Sequence, residues 1–167
     1  LASVRSVTIR ACYIHDTTGT GIAGTGVGID IVGCVLANCS GASGDAISLT
    51  GATGQHVSGC TIYNSGRDGI RATGVVLGTI LNNILANNTG YGINMSTASS
   101  TGLLEDYNAF YSNTAGLRSN VTAGAHDVTL TAGPFTNAAG NDFTLNTTAG
   151  GGAACRGAGY PGVLPGL

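Results

Sequence analysis

One polar position recurs along this chain of 167 residues, always two residues after an apolar one. The position is held by Asp16, Asn38, Asn64, Asn87, Ser112 and Asn137, and the apolar residues before them are Ile14, Leu36, Ile62, Leu85, Phe110 and Phe135. Successive members of the column are 22, 26, 23, 25 and 25 residues apart. Spacing in this range is typical of repeat architectures, in which each repeat forms one structural unit. The column therefore predicts a chain built from similar stacked coils, about six in number.

Apolar residues form further columns with the same period. One column is Ile9, Ile31, Val57, Ile80, Glu105 and Leu130, and another is Ile22, Ile47, Ile70, Ile93, Leu117 and Phe143. Glu105 interrupts the first of these, so its neighbour Leu104 is the alternative inward residue of the fifth coil. Short alternating runs such as residues 57–62 end at Asn, Ser or Gly, which indicates strands and turns rather than helices.

Short strands that recur once per coil must find their hydrogen-bond partners in the neighbouring coils. Each strand then pairs in parallel with its counterpart, and equivalent side chains stack at about 4.8 Å. The sequence predicts an all-β fold, a parallel β-helix (solenoid) of about six coils over residues 1–146. Residues 147–167 are rich in Gly and Pro and predict a C-terminal extension without strands. Because strand-like alternation begins at residue 4, we expect the helix to be truncated on its N-terminal side.

The recurring polar column has a structural explanation. Stacked asparagines can hydrogen-bond through their side-chain amides to the asparagines above and below. Asparagine also tolerates the left-handed backbone that a sharp corner requires. We therefore predict a structural ladder, facing inward or lining a turn, that contains Asp16, Asn38, Asn64, Asn87 and Asn137.

Two segments resemble the repeat of a known superfamily. Residues 62–70 read Ile-Tyr-Asn-Ser-Gly-Arg-Asp-Gly-Ile, and residues 85–93 read Leu-Ala-Asn-Asn-Thr-Gly-Tyr-Gly-Ile. Both are similar to the repeat of the right-handed parallel β-helix, or pectin-lyase-like, superfamily, and the resemblance covers about residues 4–146. That superfamily holds polysaccharide lyases, polygalacturonases, phage tailspikes and many surface proteins. The resemblance implies a right-handed helix and leaves the activity open.

The composition excludes two classes of partner. Charged residues make up 8% of the chain, against about 25% in ordinary globular proteins. The net charge is −2 and Lys is absent, so no basic surface for nucleic acid is expected. The apolar runs are too short to span a membrane.

Five cysteines occur, at positions 12, 34, 39, 60 and 155. Cys12, Cys34 and Cys60 occupy one column and are expected to be small buried thiols. Cys34 and Cys39 are spaced so that one sulfur is expected in the core and the other in a turn. The chain has no Cys/His spacing that suits a metal, and the disulfide state of the five cysteines stays open.

Asp45 and Asp68 form the candidate catalytic site, with Arg71 beside them. They share a surface column and are expected about 5 Å apart on adjacent coils. The candidate ligand-binding residues nearby are Arg67, Tyr91, Asn94 and Arg118. The resemblance implies that a lyase would use acidic residues to hold Ca²⁺ and an Arg or Lys as the base. The structural alternative is that the aspartates cap turns and pair with the arginines.

Two functions follow from these observations. The first is a structural or surface-recognition module of a larger extracellular, cell-surface or virion protein, similar to a tailspike or fibre, which binds glycans. Its expected partners are other domains or subunits, with a homotrimer as one arrangement, and polysaccharide. No cofactor is expected in that role. The alternative is a polysaccharide lyase or hydrolase that acts on acidic glycans, with Ca²⁺ as the expected cofactor.

Overall fold

The computed structural model describes residues 6–26, 28–51, 53–74, 77–96 and 102–162. The strands are β1 (Val7–Arg10), β2 (Tyr13–His15), β3 (Ile22–Thr25), β4 (Ile29–Val32), β5 (Val35–Ala37), β6 (Ile47–Thr50), β7 (Thr53–Ser58), β8 (Thr61–Tyr63), β9 (Ile70–Thr73), β10 (Leu77–Leu81), β11 (Ile84–Ala86), β12 (Tyr91–Met95), β13 (Leu103–Asp106), β14 (Ala109–Tyr111), β15 (Gly116–Ser119), β16 (Val128–Thr129), β17 (Phe135–Asn137) and β18 (Asp142–Leu145). A 3₁₀ helix, Ala138–Gly140, joins the last two strands, and the helix α1 is Gly152–Cys155.

Three parallel sheets run the length of the rod. Each of five coils gives one strand to each sheet, and β16 adds a sixth strand to sheet B. Sheet A has the order β1-β4-β7-β10-β13, sheet B the order β2-β5-β8-β11-β14-β16, and sheet C the order β3-β6-β9-β12-β15. Equivalent residues lie over one another, as where Ile14 pairs with Leu36 and Leu36 with Ile62. The predicted fold class, an all-β parallel β-helix, is therefore confirmed, with about five turns rather than six.

The core consists of the inward columns of the three sheets. Side chains at alternate strand positions point to opposite faces, so one residue in two enters the interior. Ile31, Leu36, Ile47 and Ile62 are fully buried there. The alternative inward assignment of Leu104 is wrong, because Leu104 is 55% exposed and its neighbour Glu105 is buried.

The predicted sixth coil is not formed beyond β16. Val128 pairs with Ala109 in sheet B, and β16 is the last parallel strand of the described residues. The amide of Leu130 donates to the carbonyl of Phe110 at 2.8 Å, so Leu130 extends the pairing of sheet B. Its predicted place in the column that begins at Ile9 is therefore wrong. Phe135 and Phe143 lie on the antiparallel hairpin β17–β18 instead of a coil. The coils thus end near residue 129, not at residue 146.

The hairpin and residues 146–162 fold back over the outer face of sheet B. Phe143 contacts Tyr63 with ring centroids 5.6 Å apart, and the amide of Tyr160 donates to Asn82 Oδ1 at 2.7 Å. Ala37 and Ala86 follow the inward residues Leu36 and Leu85, so they face the outer side of sheet B. Both are nevertheless fully buried. Residues 147–162 therefore pack against the rod and contain α1, and these described residues of the predicted extension include no strand.

The predicted polar column lies at a corner on the surface. Asn64 Nδ2 donates to Asn38 Oδ1 at 2.8 Å, and Asn38 Nδ2 donates to Asp16 Oδ1 at 2.9 Å. These residues and Asn87 have φ between 54° and 59°, in the left-handed region that asparagine tolerates. Asn137 is not part of this column, because it precedes the 3₁₀ helix with φ −156°. Its prediction as a ladder residue is wrong.

Two further asparagine ladders are buried in the rod. Asn88 Nδ2 donates to Asn113 Oδ1 at 2.8 Å, and Asn83 Nδ2 donates to Asn108 Oδ1 at 2.9 Å. All four of these asparagines are buried. Asn88 also accepts from the backbone amide of Ser65 at 3.0 Å, so the amides tie each coil to the next.

The cysteine column continues into one of these asparagine columns. Cys60 Sγ lies 3.7 Å from the carbonyl of Ile31, and Asn83 Nδ2 donates to the equivalent carbonyl of Val57 at 3.0 Å. Burial raises the pKa of the Cys60 thiol to about 12, so it remains a neutral thiol. All five cysteines are free. Cys39 lies in the turn between β5 and β6, and its side chain is fully buried with the core residues. Cys34 and Cys60 are buried as predicted, but Cys12 is exposed, so its prediction as a buried thiol is wrong.

Candidate functional site

Asp45 and Asp68 lie on adjacent coils, just before strands β6 and β9. The register of sheet C stacks Ile47 on Ile70, and each aspartate is two residues before its isoleucine. The backbone amide of Asp68 donates to Asp45 Oδ1 at 3.1 Å. The two side chains are therefore neighbours in a column that runs along the wall of the rod.

The Asp45 carboxylate is occupied by protein donors on both oxygens. Arg67 Nε donates to Oδ1 at 2.7 Å, and the Nη2 of Arg67 donates to Oδ2. Asp45 is fully buried, whereas the Arg67 side chain is 35% exposed. The hydrogen bond to Asp45 raises the pKa of the Arg67 guanidinium above its ordinary value. This is a two-point ion pair between neighbouring coils, and it fixes both side chains.

The Asp68 carboxylate is occupied in the same way by different donors. Arg71 Nη1 donates to Oδ2 at 2.9 Å, and Asn94 Nδ2 donates to the same oxygen at 2.7 Å. The backbone amide of Tyr91 donates to Oδ1 at 2.8 Å. Each aspartate thus accepts a hydrogen bond from a backbone amide of the next coil: Asp45 from Asp68, and Asp68 from Tyr91. The column of aspartates holds successive coils together.

The geometry does not fit the calcium site expected for a lyase. Ca²⁺ takes six to eight oxygen ligands, and carboxylates are the usual ones. Here every oxygen of Asp45 and Asp68 already accepts at least one bond from the protein. A cation between them would meet the guanidinium groups of Arg67 and Arg71. Within the described ranges, no group of three or more His, Cys, Asp or Glu side chains is placed to hold a metal.

Arg118, a predicted ligand-binding residue of the same flank, lies elsewhere. The register of sheet C pairs Arg118 with the inward residue Ile93, not with Asn94 as predicted. Its side chain is 15% exposed, and its guanidinium carbon lies 4.5 Å from the ring centroid of Phe110. The prediction that Arg118 joins the surface flank is wrong, because the fifth coil places it over the end of the core.

At that position Arg118 contacts two acidic side chains. Its Nη2 bonds to Asp127 Oδ2, and its Nε lies 3.4 Å from Glu105 Oε2. Burial and a hydrogen bond with Asp127 raise the pKa of Glu105 to about 7. Asn108 Nδ2 and the amide of Gly124 donate to Glu105, each at 2.9 Å. The sequence signal for this cluster was a single acidic residue, Glu105, in an otherwise apolar column.

The three histidines lie apart from one another. His15 Nδ1 contacts Asp16 Oδ2 at 2.8 Å, and His126 Nδ1 contacts Asp106 Oδ2 at 2.9 Å. His56 Nδ1 lies 2.7 Å from Thr79 Oγ1 on the outer face of sheet A. None of these pairs adjoins the Asp45–Asp68 column among the hydrogen bonds of the described residues.

Stacked parallel coils with side-chain ladders define the chain as a parallel β-solenoid protein. The chain also matches a family model described as right handed beta helix region, over residues 1–133. It therefore belongs to the right-handed β-helix family. No curated protein and no solved structure shows a significant match to it. In the ranges that the structure describes, no helix has the length and apolar character to cross a membrane.

Proposed function

We propose that this chain is a rigid structural or surface-recognition module without catalysis of its own. The observation that carries the proposal is the saturation of Asp45 and Asp68 by Arg67, Arg71 and the backbone of the next coil. Acids of a lyase or hydrolase must reach a substrate, a metal or a water. These two are buried and serve the stacking of coils instead.

The surface supports a recognition role in a larger assembly. Hydroxyl side chains stack along the outer face of sheet C, where Thr25 pairs with Thr50 and Thr50 with Thr73. The Thr73 hydroxyl bonds to that of Ser96 one coil later. A neutral face rich in hydroxyl groups suits contacts with glycans or with other subunits. We infer an extracellular, cell-surface or virion protein of the tailspike or fibre kind, with other domains or subunits as partners and a homotrimer as one arrangement.

The alternative function is a polysaccharide lyase or hydrolase that acts on acidic glycans. One observation favours it: Arg71 and Asn94 are half-buried, not fully buried, beside Asp68 on the outer face of sheet C. Under this alternative, Arg71 is the candidate base, and Arg67 and Tyr91 contact the sugar. The residues of the column do not fit Ca²⁺, so no metal-dependent step is assigned to them.

One experiment separates the two functions. The chain is titrated with Ca²⁺ by calorimetry and incubated with polygalacturonate and alginate, with assays for unsaturated uronate and for new reducing ends. We expect no saturable Ca²⁺ binding and no cleavage. Cleavage that disappears in Arg71→Ala but persists in the matched control Arg10→Ala, an exposed arginine on sheet A, would establish the enzyme and overturn the proposal.

A further inference from the structure

A cleft of about 380 Å³ lies between the outer face of sheet B and the start of β18. Its floor is formed by Tyr13, Val35 and Thr61, which are aligned on three adjacent coils. Its wall is residues 141–144 of the hairpin. Sites for small ligands typically enclose about 300–1,000 Å³ and are mostly apolar with a few polar groups. The cleft falls in this size range as an open, mainly apolar groove on the surface, and it is formed where the hairpin folds back onto the first coils.

Two aromatic rings shape the cleft. The ring centroids of Tyr13 and Phe143 are 6.3 Å apart, with the planes inclined at 71°. Phe143 is held by Tyr63 and Phe135, with centroids 5.6 Å and 5.3 Å away. Tyr13 is 47% exposed and stacks on the His15 ring at 4.4 Å. A half-exposed ring that is supported by a second ring offers a fixed apolar face to a ligand.

A single charged group lines the cleft, the carboxylate of Asp142. Its Oδ1 accepts from the backbone amide and the hydroxyl of Thr144, at 3.0 Å and 2.6 Å. These bonds lower the pKa of Asp142, so it is ionised at neutral pH. An ionised carboxylate only accepts hydrogen bonds, and its bonds to hydroxyl donors are stronger than those between neutral groups. The adjacent Asn141 side chain is exposed and can both donate and accept.

This combination selects for one ligand chemistry. A pyranose ring presents an apolar C–H face, which suits stacking on Tyr13, and hydroxyl groups, which suit the Asp142 carboxylate. The lining residues include one carboxylate and no cation, so a uronate or other anionic sugar would meet a like charge. We propose that the cleft formed by Tyr13, Phe143 and Asp142 binds a neutral saccharide. This inference rests on the proposed recognition role and names its ligand class.

The test is a calorimetric titration of the full chain with neutral hexasaccharides: maltohexaose, cellohexaose, mannohexaose and a β-1,4-galactohexaose. Hexagalacturonate is the charged comparison. We expect at least one neutral probe to bind and hexagalacturonate to bind more weakly or not at all. Tyr13→Ala should weaken binding by about tenfold, because it removes the stacking face. Asp142→Asn, which keeps the shape and removes the charge, should weaken it by about fivefold.

Tyr160→Ala is the matched control, because Tyr160 is 41% exposed and lines a different cavity with Leu104 and Tyr107. It should leave the affinity unchanged, and circular dichroism should show that every variant is folded. The proposal is overturned if no neutral probe binds, if hexagalacturonate binds more tightly, or if Tyr13→Ala binds as well as the unchanged chain. Absence of saccharide binding would remove the cleft assignment alone, whereas polyuronate cleavage would remove the non-catalytic role alone.

Discussion

Arg67 donates to both carboxylate oxygens of Asp45, which is fully buried one coil earlier. Removal of one partner of a buried ion pair leaves an uncompensated charge and commonly costs about 3–5 kcal/mol. Since the Arg67 side chain is 35% exposed, we expect Arg67→Ala to cost less, about 2–3 kcal/mol. The measurement is the shift of the urea unfolding midpoint at neutral pH.

Arg71→Ala is the matched control for this pair. Asp68 would keep the amide of Tyr91 and the side chain of Asn94 as donors, so its charge remains solvated by the protein. We expect a cost of about 1 kcal/mol. Equal costs for the two arginine variants would contradict the view that Asp45 depends on Arg67 alone for its countercharge.

A comparison of Asn88 with Asn64 distinguishes the buried ladder from the surface column. Asn88 is fully buried and bonds to Asn113 and Ser65, so Asn88→Ala should cost about 1–3 kcal/mol for unpaired buried groups. Asn64 is exposed with φ 55°, a conformation that glycine adopts freely. Asn64→Gly should therefore change the stability by less than about 0.5 kcal/mol. The urea unfolding midpoints of both variants provide the measurement. A larger loss of stability in Asn64→Gly than in Asn88→Ala would contradict the placement of Asn88 in a buried ladder and of Asn64 in the surface column.

The stacking of the coils could be predicted from the sequence because nearly every repeat places an apolar residue at the same three points. The neighbouring positions of Asp45 and Asp68 followed from the same period, and the structure places them on adjacent coils. Pairing of the aspartates with the arginines was the structural alternative, but which arginine pairs with which aspartate could not be predicted, since a period fixes which residues stack but not which way a long side chain turns. Arg67 and Arg71 both lie close to Asp68 in the sequence, yet Arg67 bonds to Asp45.

The fifth coil shows where apolar pattern alone fails. Leu117 was the apolar choice to lie over Ile93, but the structure places Arg118 there. Arg118 gains Asp127 and Glu105 as partners in that register, and both come from neighbouring segments outside β15. The aromatic cleft was missed for a related reason: Phe143 was assigned to a sixth coil, so its contact with Tyr13 was not expected.

Gly90 is required by the Asp68 column for steric reasons. A Cβ at this position would overlap Asp68 Oδ1 and lie 2.7 Å from the carbonyl oxygen of Arg67. Gly90→Ala should therefore cost about 1–3 kcal/mol through overpacking. Gly19→Ala is the control, because a Cβ there has no atom within 4 Å, and it should be neutral within about 0.5 kcal/mol. Thermal midpoints of the two variants give the measurement, and a neutral Gly90→Ala would show that the column can relax around a methyl group.

Glu105 makes the stability depend on pH in a definite window. Its folded-state pKa is about 7, raised from 4.5 first by burial and then by its hydrogen bond with Asp127. The folded chain therefore binds this proton more tightly than the unfolded chain does. The resulting stabilisation is complete below pH 4.5 and is lost as the pH rises through 7.

Glu105→Gln removes this titration, so we expect its thermal midpoint to fall less than that of the unchanged chain between pH 4.5 and pH 7. Asp142→Asn is the control. The pKa of Asp142 is lowered by its bonds to Thr144, so its stabilising contribution is present above pH 3.8 and is lost only at lower pH. This control should follow the unchanged chain throughout the window. If the thermal midpoint of Glu105→Gln also follows that of the unchanged chain, Glu105 is ionised in the folded chain. The pH dependence then belongs to other groups.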